Sequence, residues 1–246
     1  MSRAALTAAA LSLALSLPAT VEAVSPHVNP GVVPTACTAC HRGHGLSRSP
    51  MLASSQIELC LSCHGSATSL EEQVRRGHVV SGVRPPLLGN VLSQPFVHPL
   101  TEGAFSRHET GVITCTSCHS PHRSTFTGSS GTPTGQRYLS PRNPAQFEVQ
   151  LCESCHGNAG ATTRSLVDIS RLLNPRNRSY HPVEAPAAGA SPSVVPRLRG
   201  REINCTDCHG NSDPEGPRGP HGSAVRYILR WPYSTTDGAQ ESVSAY

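Results

Sequence analysis

The apolar and polar positions of this chain form one pattern that occurs twice. Residues 57–65 and 147–157 each predict a short helix that stops at a glycine. Residues 70–76 and 166–173 predict a second short helix after each of these, with Leu and Val recurring every three to four positions. The repetition indicates an internal repeat.

The repeat divides the chain into two full units and a half unit. Unit 1 covers residues 24–90, unit 2 residues 91–178, and unit 3, the half unit, residues 179–246. Stretches rich in Pro, Gly, Ser and Thr at 127–145 and 185–196 predict loops. We therefore expect a mostly irregular chain with a few short α-helices and little or no β-sheet.

The first 23 residues have the character of a secretory signal. Arg3 supplies a positive charge, an apolar run extends from Ala4 to Leu17, and Val21-Glu-Ala23 has the small-residue spacing of a cleavage site. A membrane anchor is the alternative, but this run is shorter than the roughly 20 apolar residues that a spanning helix needs. The sequence predicts export to the periplasm or the extracellular space, as a mature chain that begins near Val24.

Composition changes the expectation for the core. Only 37% of the residues are hydrophobic and 4% aromatic, whereas 22 are proline and 21 glycine. Such a chain cannot bury enough apolar side chain to offset the entropy of ordering it. It is therefore disordered, or it folds around a group that is not a side chain.

The ten cysteines identify that group. All of them belong to five Cys-x-x-Cys-His motifs, which we number 1 to 5 in chain order. Two thiols three residues apart can add to the two vinyl groups of one haem, and the adjacent imidazole then lies under the iron; this is the attachment signature of c-type haem. The motifs are Cys37-Thr-Ala-Cys40-His41, Cys60-Leu-Ser-Cys63-His64, Cys115-Thr-Ser-Cys118-His119, Cys152-Glu-Ser-Cys155-His156 and Cys205-Thr-Asp-Cys208-His209.

Three other uses of Cys-x-x-Cys pairs explain the motifs less well. Zinc ribbons use the pairs two at a time, so five pairs leave one over. Disulfides of exported proteins and redox-active pairs do not require a histidine after every second cysteine. The prediction is five covalent haems, two in each full unit and one in the half unit, with the chain wrapped around a closely packed row of them.

Each iron of an electron carrier usually has a second axial ligand, commonly methionine or histidine. Met51 is the only methionine outside the predicted signal, so at least four irons have a second histidine or an open position. Eight of the 13 histidines lie outside the motifs: His27, His44, His78, His98, His108, His122, His181 and His221. All of these except His108, which we interpret as an ordinary surface residue, are candidate ligands of iron.

Three candidates precede a motif, and we assign each to the haem of the motif that follows. His27 is assigned to haem 1, His98 to haem 3 and His181 to haem 5, with His78 as an alternative for haem 3.

Two further candidates lie three residues beyond a motif histidine. Such a side chain cannot easily return over its own haem, so we assign His44 to haem 2 and His122 to haem 4. His221 belongs to a similar element and has two alternatives. Either it replaces His181 at haem 5, or a histidine near one end of the chain, which is His221, His27 or His44, ligates a haem of a neighbouring subunit.

The chain resembles the multihaem cytochromes with doubled Cys-x-x-Cys-His motifs, which are related in style to class III cytochromes c. It is also similar to subunits of extracellular cytochrome filaments. The resemblance rests on the five motifs, His119-Ser-Pro-His122 and Pro220-His221-Gly-Ser. It implies bis-histidine ligation, closely stacked haems and electron transfer in anaerobic respiration. The unpaired fifth motif departs from the doubled pattern.

These observations favour an electron carrier over an enzyme. A multihaem reductase of a small nitrogen or sulfur substrate is the enzymatic alternative, but the lysine-ligated motif of pentahaem nitrite reductases is absent because the chain has no lysine. The expected partners are redox proteins, further copies in a filament, or an outer-membrane conduit. The net charge of +4 says little about partners because haem propionates would offset it. We find no basic stripe or base-stacking aromatic residues that would indicate nucleic acid.

Overall fold

The computed structural model describes most of the motif-bearing parts of the chain. The described residues are 25–44, 51–100, 113–122, 125–127, 132–134, 148–158, 167–186, 200 and 202–232. The predicted signal, most of the two predicted loops and His108 lie outside these residues. No helix in the described ranges is both long and apolar enough to cross a membrane.

The described residues form short helices joined by irregular backbone. None of these helices exceeds nine residues. They are α1 (Cys37–Cys40), α2 (Gln56–His64), α3 (Ala67–Arg75), α4 (Gly89–Leu92), α5 (Cys115–Cys118), α6 (Glu148–His156), α7 (Ser170–Leu173) and α8 (Cys205–Cys208), with 3-10 turns at Pro26–Val28 and Arg226–Ile228.

Two small antiparallel sheets complete the described secondary structure. Strand β1 (Phe96–Val97) pairs with β4 (Gly222–Ser223), so that Phe96 lies opposite Ser223. Strands β2 (Thr125–Thr127) and β3 (Thr132–Thr134) form a hairpin. The first sheet is the more informative one, because it joins the beginning of unit 2 to the end of unit 3.

The predicted pair of helices in unit 1 is confirmed by α2 and α3. The Ser55 hydroxyl caps α2 by accepting from the Glu58 N–H, and a capping box at Ser66 begins α3. Between them, a Cβ at Gly65 would lie 2.5 Å from the Leu61 carbonyl oxygen, so only glycine allows this close turn. In unit 2, α6 is the predicted motif helix, and α7 covers the end of the predicted second helix.

The same hydrogen-bonded contact joins unit 1 to unit 2 and unit 2 to unit 3. Gln56 Oε1 accepts hydrogen bonds from the N–H and the hydroxyl of Thr116, at 3.0 and 3.1 Å. Glu148, four residues before Cys152 as Gln56 is before Cys60, accepts from the same two groups of Thr206, both at 2.7 Å. The contacts dock α5 on α2 and α8 on α6, so each unit packs on the unit before it.

Few apolar side chains are buried in the part of the chain that the structure describes. They are Leu52, Leu70, Val79, Val91 and Ile203. This set is small for the length of chain that it must order. It is consistent with a fold built around bound haem, and the wrapping of the chain around haems stays a prediction.

Candidate metal centres

The motifs occupy helices of two kinds. Motifs 1, 3 and 5, which we call the leading motifs, form the four-residue turns α1, α5 and α8. Motifs 2 and 4, the trailing motifs, form the C-terminal parts of α2 and α6. Helical spacing of three residues places the two thiols of each motif on one side of the helix. All ten cysteines are free thiols, so the structure contains none of the disulfides considered above.

Four motif histidines each face one histidine from outside the motifs. The ring centroids are separated by 5.9 Å for His64 and His27, 6.0 Å for His41 and His122, 6.3 Å for His156 and His98, and 5.9 Å for His119 and His221. Each pair thus combines one attachment motif with one of the predicted distal ligands.

These separations suit two ligands on opposite sides of one metal ion. An imidazole nitrogen binds a metal at about 2 Å, and the ring centre lies roughly 1 Å behind it, so two opposed ligands have centroids about 6 Å apart. Near-parallel rings in direct contact would lie closer, at about 4 Å. The rings of His119 and His221 are inclined by only 15°, and their centroids are 5.9 Å apart, close to the separation of two opposed ligands.

Three of the candidate ligands, two paired histidines and the unpaired His209, have one ring nitrogen hydrogen-bonded to the backbone. In each case the Nδ1–H donates to a backbone carbonyl oxygen: His64 to Pro86 at 2.9 Å, His98 to Pro220 at 2.6 Å and His209 to Tyr227 at 2.9 Å. Metal-ligating histidines generally have such a bond, which fixes the ring and leaves Nε2 for the metal. The residues therefore fit c-type haem with histidine on both faces of the iron.

Burial keeps several of these rings neutral, as metal binding requires. Burial, followed by the charges of His221, His64 and His27, lowers the pKa of His119 to about 4. Burial likewise lowers the pKa values of His27 and His221. At neutral pH these imidazoles are unprotonated, and a proton does not compete with a metal for Nε2.

Contacts between cysteines show which motifs lie side by side. A hydrogen bond with Cys115, followed by burial, raises the pKa of the Cys60 thiol, which places motif 2 against motif 3. A hydrogen bond with Cys205 has the same effect on Cys152 and places motif 4 against motif 5. Weaker charge effects link motif 1 to motif 2 and motif 3 to motif 4. Motif 2 thus lies beside motif 3, and motif 4 beside motif 5, as the contacts of Gln56 with Thr116 and of Glu148 with Thr206 also require.

The assignment of motif-preceding histidines to the next motif is wrong for His27 and His98. Both face the histidine of the trailing motif of their unit. The backbone explains this for His98, because Leu100 forms a parallel bridge with Ile113. His98 lies two residues before that bridge and Cys115 two residues after it, roughly 13 Å apart along an extended chain. This backbone separation keeps His98 from the haem of motif 3, and its ring instead faces His156.

The assignment of His122 to haem 4 is also wrong. His122 faces His41 of motif 1. Its position is fixed by a long-range contact, in which the buried Ser25 hydroxyl donates to the Pro121 carbonyl oxygen at 2.6 Å. This bond holds the Pro121–His122 element on the N-terminal segment of unit 1.

His221 lies in an equivalent element one unit later. It faces His119 of motif 3 and does not replace His181 at haem 5, which was the first of its two alternatives. Here the bond from His98 to the Pro220 carbonyl holds the element on the beginning of unit 2.

The remaining candidates are not brought to a second histidine. His44 and His181 are exposed, and neither faces a motif ring among the described residues, so the assignments of His44 to haem 2 and His181 to haem 5 do not match the structure. Both ring nitrogens of His78 are engaged, by Arg42 at 2.5 Å and by Gln73 at 2.8 Å. Met51 is 51% exposed.

One other group of side chains has metal-binding chemistry. Potential ligand atoms of Glu148, Cys152 and Cys205 lie within 4.8 Å of one another. However, both carboxylate oxygens of Glu148 accept hydrogen bonds from Thr206, and both cysteines belong to attachment motifs. The contact is better explained as the joint between α6 and α8 than as a separate metal site.

Sequence reasoning missed the parts that orient the ligands. A strained turn supplies the carbonyl for His209, since Tyr227 and Ile228 have φ values of 64° and 55°. The carbonyls of Pro121 and Pro220 were missed as well. The Pro-His dipeptide at both positions, and the threonine that follows the first cysteine of every leading motif, were the signals that could have found these contacts.

The comparison with protein families agrees with this geometry. Residues 30–69, which contain motifs 1 and 2, match the family model described as the doubled CXXCH motif. No match to a curated protein or to a solved structure was found. The paired motifs define a c-type cytochrome, a protein that binds haem covalently. The doubled motif is typical of multihaem c-type cytochromes, whose haems transfer electrons, and the chain is similar to these proteins over the matched residues.

Proposed function

We propose that the protein is an exported five-haem electron carrier in which at least four irons have histidine on both faces. The four histidine pairs, each at about the separation of two axial ligands, carry this proposal. When bound, the haem iron supplies one-electron redox chemistry, and histidine rather than methionine on both faces favours the lower potentials of anaerobic respiration.

The side chains of the protein attach, orient and separate these centres. The cysteines fix each group covalently, which suits a chain whose described core has so few buried apolar side chains. The carbonyls of Pro86, Pro220 and Tyr227 hold the imidazoles in one tautomer and raise their basicity. The contacts between neighbouring motifs support one path along the protein, with entry and exit at its two ends.

The signal-like N-terminus supports a periplasmic or extracellular setting. Periplasmic and extracellular redox proteins, or an outer-membrane conduit, are the proposed partners.

One observation favours a second candidate function. His209 is the motif histidine that faces no other histidine in the described ranges, and it is exposed. An iron with an open position is what a multihaem reductase of a small nitrogen or sulfur substrate needs. A reductase would act at motif 5, and the other four motifs would supply it with electrons.

The haem count and spin state test the proposal. Mass spectrometry of the secreted protein should give a chain that begins near Val24 with five covalent haems. Electron paramagnetic resonance of the oxidised protein should give at least four low-spin irons. Fewer than five haems, zinc in their place, or more than one high-spin iron would contradict the proposal.

A further inference from the structure

A strained turn follows β4 in unit 3. Tyr227 and Ile228 have φ values of 64° and 55°, in the left-handed region that residues other than glycine rarely adopt. Residues in this conformation persist only where the surrounding structure holds them in place. The turn, residues 225–229, therefore needs contacts from outside its own backbone conformation to keep its shape.

The turn lies directly on motif 5. The Tyr227 carbonyl oxygen accepts a hydrogen bond from His209 Nδ1–H at 2.9 Å. Beside this bond, the Gly210 N–H donates to the Ile228 carbonyl oxygen at 2.8 Å, and His209 forms an antiparallel bridge with Leu229. The position of the Tyr227 carbonyl, and with it the orientation of the His209 ring, depends on the conformation of the turn.

One buried side chain closes the turn. Ser223 is fully buried, at 0% exposed. Its hydroxyl donates to the Leu229 carbonyl oxygen at 2.6 Å and accepts from the Val225 N–H at 2.9 Å. Val225 and Leu229, the two ends of the turn, also form a bridge with each other. A single hydroxyl thus joins the first residue of the turn to the last one.

The backbone of Ser223 is fixed independently of the turn. Ser223 belongs to β4 and lies opposite Phe96 of β1. The preceding Gly222 packs so closely on another segment that a Cβ there would overlap the Val91 carbonyl oxygen. The hydroxyl therefore extends from a rigid base, and it can hold the turn without moving itself.

The side chains of the turn do not explain its conformation. Tyr227 is 66% exposed, and its ring contacts the Arg226 guanidinium, 4.8 Å from the ring centroid. An exposed cation–π contact of this kind contributes little to stability. The two hydrogen bonds of the Ser223 hydroxyl are buried and span the strained residues, so they are the better explanation.

We propose that Ser223 is a positioning residue for the haem of motif 5, because its hydroxyl holds the turn whose carbonyl orients His209. The inference rests on the proposed function, since it requires a haem at motif 5. A hydrogen bond from Nδ1 makes an imidazole a stronger electron donor to its metal and favours the oxidised iron. Ser223 thus lowers the reduction potential of haem 5 through the backbone of the turn. The element Pro220-His221-Gly-Ser then serves two centres, haem 3 through His221 and haem 5 through Ser223.

The test uses the mature, haem-loaded full chain and its Ser223→Ala variant, both with five haems by mass spectrometry. In NMR spectra, the His209 Nδ1–H proton should exchange about tenfold faster in the variant, the factor expected when one hydrogen bond is lost. In a redox titration followed by NMR, the potential of haem 5 should rise. The potentials of haems 3 and 4 should not change, because β4 keeps its backbone pairing.

Ser25→Ala is the matched control. Ser25 is 2% exposed, and its hydroxyl also donates to a carbonyl oxygen at 2.6 Å, but it does so in unit 1. A general loss of stability on removing a buried hydroxyl should occur in both variants. The faster exchange at His209 and the shift of haem 5 should occur in Ser223→Ala alone.

A glycine in the turn separates the effect of Ser223 on the turn from any other effect. Glycine adopts a positive φ without strain, so Tyr227→Gly should keep the turn in place with fewer supporting contacts. Added to Ser223→Ala, it should restore most of the wild-type exchange rate at His209 and of the haem 5 potential. The same double variant decides the question if Ser223→Ala alone does not fold. A folded double variant with five haems and wild-type values at motif 5 supports the proposal, and a double variant that also fails to fold contradicts it.

Three other results would overturn the inference. The first is a five-haem Ser223→Ala protein with unchanged exchange at His209 and an unchanged haem 5 potential. The second is an equal shift of haem 5 in Ser25→Ala. The third is a double variant no closer to the wild type than Ser223→Ala. A wild type without a haem at motif 5 would instead contradict the proposed function, so the haem count keeps the two proposals apart.

Discussion

The joint between α6 and α8 provides the sharpest stability prediction. Glu148 is only 7% exposed, and each of its carboxylate oxygens accepts one hydrogen bond from Thr206 at 2.7 Å. The contact links residues 58 positions apart and anchors the turn that carries motif 5. Glu148→Ala would remove both bonds and leave the Thr206 donors without this acceptor.

The expected loss of stability in Glu148→Ala depends on the charge of the acceptor, the Glu148 carboxylate. Hydrogen bonds to charged groups contribute about 1.5–3 kcal/mol each, against about 0.5–1.5 kcal/mol for neutral ones. Water can form hydrogen bonds with the freed donors of Thr206 and so offset part of the loss. We therefore expect Glu148→Ala to lower the free energy of unfolding by about 3 kcal/mol. In a chain of this size, that corresponds to a decrease in Tm of roughly 6–12 °C.

The repeat supplies a matched control at the equivalent joint. Gln56 makes the same two bonds to Thr116 through a neutral and more exposed oxygen, at 3.0 and 3.1 Å. Gln56→Ala should therefore cost only about 1 kcal/mol, or roughly 2–4 °C. Glu148→Gln should fall between the two alanine variants, because it keeps one acceptor oxygen but loses the charge.

Thermal unfolding of the haem-loaded variants, followed by circular dichroism in the far-ultraviolet and Soret bands, measures these differences. Hydrogen exchange at the Thr206 amide reports on the joint itself and should accelerate in Glu148→Ala. Equal losses in Glu148→Ala and Gln56→Ala would show that the charge and burial of Glu148 do not matter. No acceleration at Thr206 would refute the proposed anchoring of motif 5.

Two further predictions follow from the site. His122→Ala should turn the haem of His41 high-spin and leave the other paired haems low-spin. Paramagnetic NMR with reporters near His41 measures this change. A high-spin haem at any other motif would contradict the pairing of His41 with His122. Burial, followed by a hydrogen bond with Glu184, raises the pKa of Glu153 from 4.5 to about 7. Between these pH values the folded protein keeps Glu153 protonated, whereas the unfolded chain does not. The contribution of this protonation to the free energy of unfolding is therefore lost as the pH rises from 4.5 to 7. Glu153→Gln, which does not titrate, should therefore gain in Tm over the wild type as pH rises from 4.5 to 8; a difference in Tm that does not change with pH would contradict the shift.

The structural features that depend on the spacing of nearby residues could be predicted from the sequence. The motif helices in units 1 and 2, the glycine that ends α2, and α3 are determined by residues within a few positions of one another, and the structure confirms them. Motif spacing also indicated haem, because the attachment chemistry needs only neighbouring residues.

The pairing of the ligands could not be found in this way, because it depends on long-range contacts. The bond between Ser25 and the Pro121 carbonyl spans 96 residues, and the bond between His98 and the Pro220 carbonyl spans 122. Nothing in the spacing of His122 or His221 indicates these partners. The assumption that each ligand serves a nearby motif therefore failed for His27, His98 and His122.

The histidine pairs formed between units indicate whether each repeat unit could fold by itself. Units 24–90, 91–178 and 179–246 were proposed from sequence repetition, and their boundaries stay a prediction. In the structure, His41 of unit 1 faces His122 of unit 2, and His119 of unit 2 faces His221 of unit 3. A leading motif separated from the unit after it would lose one of its two histidines. Units 1 and 2 are thus not expected to be self-sufficient folding domains, because the leading-motif histidine of each faces a histidine of the following unit.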